Sequence, residues 1–143
     1  MKEKDILRIL DANFNRCREG LRVCEEITRF VLEDKGLTKE LKVARHSVTA
    51  CLKEFAAPYS KFLNSRDSAA DVGKSPSSVE RLRKSSSDLF LANMQRAKES
   101  LRVLEEISKL VDGRLADKFK KIRFKIYVIE KKSSNQLEAL CDH

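Results

Sequence analysis

The sequence predicts an all-α domain, a four-helix bundle built from two duplicated helical hairpins, and three observations lead to it. Apolar residues recur with helical spacing in four separate stretches. The motif A-N-x-x-R-x-x-E-x-L-R-V-x-E-E-I occurs twice, at Ala12–Ile27 and Ala92–Ile107, and 11 of the 20 positions from Ala12 to Val31 are identical to those from Ala92 to Val111. Chance gives about one such identity, so the chain contains an internal repeat. A fainter echo follows each copy: Lys42, Arg45 and Val48 match Lys120, Arg123 and Ile126 at an offset of 78. The repeated unit is therefore a whole hairpin, and the halves fall at about 1–57 and 78–140.

Helix one is expected from about Asp5 to Leu32, where Ile6, Leu10, Cys17, Leu21, Cys24 and Val31 share a face and Gly36 follows as a stop. Helix two opens near Thr38, runs through Leu41, Val43, Ala44, Val48, Cys51, Leu52 and Phe55, and ends before Pro58, because proline lacks the amide a helix interior needs. Ser77-Ser-Val-Glu80 has the form of a capping box and marks the start of helix three, which continues to Val111 with Gly113 closing it. Helix four covers about Leu115 to Lys132. Gly20, mid-helix where the second copy has Ser100, suggests a close helix approach, since glycine in a helix costs about 0.5–1 kcal/mol against alanine. The linker, about 58–77, is long enough to leave the halves either parallel or antiparallel.

Composition narrows the function classes. At 143 residues and 41% hydrophobic content the chain suits one domain with one core. No apolar run approaches the ~18 residues of a membrane span and Met1–Asp5 lacks a signal-peptide core, so no membrane association and a cytoplasmic location are expected. The four cysteines lack metal or redox spacing and read as reduced thiols. The net charge of +8 is mostly C-terminal, residues 72–143 carrying 16 basic and 10 acidic side chains against 14 and 12 in residues 1–71. Around a helix these charges form no single stripe, and aromatics for base stacking are few, so nucleic acid is not the expected partner. Attraction of a small polyanion remains.

The repeat retains charge as well as core: Asn13/Asn93, Arg16/Arg96, Glu19/Glu99, Arg22/Arg102, Glu25/Glu105 and Glu26/Glu106. At 100° per residue Asn13 sits on the apolar face, where its amide must find a hydrogen bond; Arg16, Glu19 and Glu26 flank that face, and Arg22 and Glu25 lie further round. As intrahelical salt bridges these charges would contribute only a few tenths of a kcal/mol each. Arginine forks suit phosphate or carboxylate, and carboxylates among them orient the forks or hold a divalent cation. The simplest joint reading is phosphate chemistry with magnesium. Ser68–Ser75 only mimics a phosphate-binding loop, because Ser68 stands for its first glycine and Pro76 follows directly. A di-iron bundle needs Glu-x-x-His, and His46 and His143 are the only histidines.

Taken together, Arg8-Ile-Leu-Asp-Ala-Asn-Phe-Asn-Arg-Cys-Arg-Glu-Gly-Leu-Arg-Val23, Arg45-His46, Arg66-Asp67, Asp71-Val-Gly73, the second Ala92-Asn93 motif and Ile122-Arg-Phe-Lys-Ile-Tyr127 resemble the small hydroxymethylpyrimidine-phosphate kinase domain of thiamin biosynthesis, across nearly the whole chain. That domain occurs alone or fused ahead of thiamin-phosphate synthase. The resemblance implies ATP-dependent phosphorylation of 4-amino-5-hydroxymethyl-2-methylpyrimidine phosphate to the diphosphate, with Mg2+, no action on the free alcohol, and association with thiamin-phosphate synthase as a further partnership. Lys74 departs from the small hydroxyl residue expected after Asp-Val-Gly. Carried over by position, Arg16, Arg22, Arg96 and Arg102 become phosphate ligands, with Arg45, Arg66 and Arg123 in support. Asn13, Glu26, His46, Gly73, Asn93, Glu106 and Tyr127 join the binding set. Glu19, Glu99, Asp67 and Asp71 are assigned to magnesium or to positioning the nucleophile. Two rival functions are a non-catalytic binding or regulatory domain associated with thiamin-phosphate synthase, and a basic helical RNA-binding module.

Overall fold

The computed structural model describes residues 1–55, 59–73 and 82–141, and among them it is all-α, without strands. Five helices follow in order: α1 Glu3–Phe30, α2 Lys35–Glu54, α3 Tyr59–Ser65, α4 Ser86–Ser108 and α5 Gly113–Cys141. The four long ones close a ring, α1 packing on α2 and α4 while α5 packs on α2 and α4. Short α3 lies on α1.

The expected elements are present, with shifted ends. The α1–α2 turn is made by Glu33, at φ 52°, and by Asp34, whose carboxylate accepts the Leu37 amide at 2.9 Å. Asp34 thereby caps α2 one turn before the expected Thr38, and Gly36 lies inside the first turn of α2 instead of stopping α1. Gly113 likewise opens α5 rather than closing the preceding helix. The first turn of α4 is capped by Ser85, which accepts the Asp88 amide at 3.1 Å; the capping box expected at Ser77–Glu80, like Pro58 and Lys74, lies outside the described residues. α5 extends past the expected Lys132 because Ser133 and Leu137 are still buried. Val31 and Val43, assigned to core faces, are exposed: the first lies beyond the end of α1, the second on the outer side of α2.

Burying Leu10, Phe14, Leu21, Leu41, Phe90, Leu101, Phe119 and Ile126 almost completely supplies the main driving force, about 1.5–3 kcal/mol for each such side chain. At one end Phe14, Phe55, Phe62 and Phe119 form an aromatic cluster with centroids 5.7–6.5 Å apart, edge-to-face except for the stacked pair Phe55–Phe119. Phe62 is the contribution of α3, which the sequence presented as irregular linker. A helix of seven residues is too short to leave a periodicity to read.

The α1–α4 contact settles the direction left open by the linker. Cys24 Sγ donates to the Phe90 carbonyl, a Cβ on Gly20 would stand 2.8 Å from the Asn93 carbonyl, and Val103 shares a cleft with Ile9 and Asn13. As numbers fall along α1 they rise along α4, so the two motif helices are antiparallel and face one another. Gly20 serves the close approach expected of it, since any side chain there would push into the α4 backbone.

Candidate functional site

The repeated charges divide into two groups. The first forms a pair of matched clasps. Glu25, buried at the α1–α2 interface, accepts Arg45 Nε at 2.9 Å, and Arg22 reaches Glu25 at 3.7 Å and Glu26 at 3.2 Å. In the second copy Glu105 accepts Arg123 at 3.2 Å, and Arg102 reaches Glu105 at 3.4 Å and Glu106 at 3.1 Å. Lys109 beside Glu106, together with Arg102 and Arg123, holds that carboxyl below its ordinary value. Glu25 was placed away from the core by its angle, about 120° from Asn13. It is buried because α1 has two large neighbours, so its covered arc is wider than a single stripe.

The second comes down to Arg16, which with Asn13 and groups from outside the repeat lines a cleft of about 770 Å³ on the N-terminal half of α1, while Glu19, Arg96 and Glu99 join neither clasp nor cleft. The floor of the cleft is Arg8, Ala12, Asn13 and Arg16, its wall Val103 of α4, and its roof the segment after α3 that carries Arg66, Asp67 and Asp71. Arg66 is tied down by Asp11, with Nε to Oδ2 at 2.6 Å and Nη2 to Oδ1 at 2.8 Å. Asp67 and Asp71 shape the loop by accepting the Ala70 amide at 3.2 Å and the Gly73 amide at 2.9 Å. The Asn13 amide satisfies its expected need by donating to the Ile9 carbonyl at 2.8 Å, as Asn93 does to Leu89 at 2.9 Å. Arg8 and Arg16 face this cleft with no ion pair or hydrogen bond from their side chains among the described residues. Two unpaired guanidinium groups in one concavity are suited to bidentate bonds with phosphate or carboxylate oxygens, while Asp5, Asp11, Asp67 and Asp71 in the same lining offset the charge of the arginines.

Of the residues expected in a site, Asn13, Arg16, Arg66, Asp67 and Asp71 line this cleft, and Gly73 ends its loop. Arg22, Glu26, Arg45, Arg102, Glu106 and Arg123 belong to the clasps. Asn93, Arg96 and Glu99 lie on α4, where Glu99 accepts the Gln95 amide at 3.0 Å, and Glu19 is exposed on α1. His46 is exposed on α2. Tyr127 is 42% exposed on α5, with Lys98 Nζ 5.0 Å from its ring centre, so it is neither core nor part of the cleft. Glu19, Glu99, Asp67 and Asp71 do not converge, and among the described residues no group of three His, Cys, Asp or Glu is placed to hold a metal. Magnesium commonly takes only one or two carboxylates beside substrate phosphates, and Asp67 and Asp71 are carboxylates that could serve on the roof of the cleft. Arg8 and Asp11 escaped selection because they stand outside the repeated motif. Their counterparts at an offset of 80, Asp88 and Leu91, were the available signal.

Residues 8–132 match the ThiD2 family. The chain belongs to that family. Among similar curated proteins, the thiamine-phosphate synthase of Rhodopirellula baltica is 37% identical over 127 residues, which is 88% of this chain and 33% of the relative. That of Synechocystis sp. is 41% identical over 128 residues, 87% of this chain and 35% of the relative. That of Thermosynechococcus vestitus is 39% identical over 124 residues, 86% and 34% respectively. The chain thus spans about a third of the length of the curated relatives it matches. No solved structure matches it. The similarity of this ThiD2 protein is thus to one part of proteins named thiamine-phosphate synthase. No described helix is long and apolar enough to cross a membrane.

Proposed function

We propose that this ThiD2 protein is an enzyme that phosphorylates 4-amino-5-hydroxymethyl-2-methylpyrimidine phosphate to the diphosphate with MgATP. The observation that carries the reading is the cleft, which gathers unpaired arginine, an open asparagine and two loop carboxylates in one place. In this reaction the attacking group is a phosphate oxygen, already anionic, so no strong general base is required. Catalysis then rests on aligning two phosphates and neutralising their charge. Arg16 and Arg66 supply positive charge, Asn13 Oδ1 accepts a hydrogen bond from a ligand amino group, and Asp67 or Asp71 positions the magnesium that accompanies ATP. Magnesium contributes neutralisation of the phosphates when bound. We read the ring of long helices as two copies of one hairpin, supported by the matched clasps, with Arg96 and Asn93 as the second-copy binding set.

A second reading, a non-catalytic binding or regulatory domain, draws support from the clasps, because ion pairing of Arg22, Arg45, Arg102 and Arg123 gives their retention a structural reason. Purified chain incubated with MgATP and either the pyrimidine monophosphate or its free alcohol distinguishes them. Diphosphate formed from the monophosphate, with the alcohol untouched, is expected. A folded protein that binds the monophosphate without turnover favours the second reading, and efficient use of the alcohol defeats the claimed specificity.

A further inference from the structure

The two motif copies are unlike where they meet solvent, and the difference centres on Arg8. It precedes the repeated motif, lines the cleft with Arg16, and has no side-chain partner among the described residues. Its counterpart in the second copy is Asp88, of opposite charge, and the counterpart of the loop anchor Asp11 is Leu91. Among the described residues, the roofed concavity that gathers Arg8 and Arg16 lies at the first copy. Eight residues separate Arg8 from Arg16, a rise of about 12 Å along α1, and their directions differ by about 80° around the axis. That backbone separation is wider than one tetrahedral anion, and two side chains of arginine length lining the same cleft can reach the two ends of a phosphate chain.

We infer that Arg8 is a specificity-determining anion ligand, which with Arg16 makes this cleft a site for a linked pair of phosphates in preference to a single one. The chemical class is a diphosphate or longer phosphate chain, whether free, in a nucleotide, or in a diphosphate product. The inference deepens the kinase reading, which needs phosphates bound in line, and rests on it for biological meaning; the binding site itself is tested without turnover. Asp5 also lines the cleft, but its Oδ2 accepts the Lys2 amide at 3.1 Å and serves the helix start. Removing Arg8 deletes a charge-assisted contact to the far phosphate and leaves Arg16 to hold the near one.

Calorimetric titration with inorganic pyrophosphate and with orthophosphate tests this on the full chain, for wild type, Arg8→Gln, Arg8→Lys and the surface-charge control Lys39→Gln. Arg8→Gln is expected to weaken pyrophosphate binding by about ten- to a hundredfold, the usual effect of a lost hydrogen bond between charged groups. Orthophosphate binding should change by less than about threefold, Arg8→Lys should recover part of the loss, and Lys39→Gln should behave as wild type. Unchanged pyrophosphate affinity in Arg8→Gln overturns the inference. So does an equal loss for both anions, which would make Arg8 part of a single-anion site, and so does a wild type that binds neither. Turnover of the pyrimidine monophosphate by the wild type, together with unchanged pyrophosphate affinity in Arg8→Gln, leaves the kinase reading standing while this one falls. Arg8-dependent pyrophosphate binding without turnover does the reverse.

Discussion

Asp11 and Arg66, 55 residues apart, form a two-pronged ion pair that fastens the segment after α3 across the outer face of α1. The pair roofs the cleft at the first motif copy, whereas Leu91, in the place of Asp11, cannot make such an ion pair in the second. Asp11→Leu should therefore lower stability by about 1–2 kcal/mol. This is less than a fully buried pair loses, because Arg66 is 39% exposed. Urea denaturation reads the first effect, and faster amide exchange at Ala70 and Gly73 reads the loosening of the roof. Unaltered exchange would mean that α3 alone holds the loop.

Gly20 and Gly113 should respond oppositely to alanine. A methyl at Gly20 meets the Asn93 carbonyl oxygen at 2.8 Å, so α1 and α4 must separate, and a loss of about 1–3 kcal/mol is expected. A methyl at Gly113 meets nothing within 4 Å and lies in a helix, so a gain of about 0.4–1 kcal/mol is expected from the stiffer unfolded chain. Thermal unfolding of both variants settles the comparison.

The clasps separate structural from ligand-binding arginines. A double-mutant cycle between Glu25 and Arg45, and another between Glu105 and Arg123, should each show a coupling of about 1–3 kcal/mol in unfolding free energy. Arg16→Ala, which breaks no ion pair, should leave stability within about 0.5 kcal/mol of wild type. Negligible coupling in both cycles would return Arg45 and Arg123 to the list of ligand groups.

Much of this was legible in the sequence because helical periodicity and an internal repeat both report on buried faces. Arg45 and Arg123 align at an offset of 78, and they pair with Glu25 and Glu105, which align at an offset of 80. The division of the repeated charges into clasps and cleft was not legible. Glu25 and Arg22 are neighbours on one helix, and only the presence of α2 makes one buried and the other exposed. Helix ends misread at Gly36 and Gly113 show the same limit, since a glycine in a helix's first turn and one beyond a helix's end look alike in sequence.

Burial pushes the Cys17 thiol up from 9.0 to about 12 and the Cys51 thiol to about 11, and raises Cys24 as well. In the folded protein these thiols hold their protons while the unfolded chain releases them above about pH 9, so unfolding is favoured by rising pH. Stability due to these groups should be intact below pH 9 and decline from pH 9 toward 11 or 12. Thiol-reactive dye at pH 8 should label none of the three until denaturant is added. Rapid labelling of the native protein at Cys17 would contradict its burial.

Loss of equivalence between the copies should show in kinetics. Arg16→Ala and Arg96→Ala are each expected to raise the Michaelis constant for a different substrate, ATP in one case and the pyrimidine phosphate in the other, by the equivalent of about 1.5–3 kcal/mol. Identical profiles would indicate two equivalent sites.

The most direct measurement is product formation by the purified chain, followed by phosphorus NMR in a mixture of the pyrimidine monophosphate and MgATP. The account predicts a growing pair of coupled diphosphate resonances from the pyrimidine product, matched by ADP and abolished when magnesium is chelated. ATP and monophosphate signals that persist unchanged over a folded protein would contradict it.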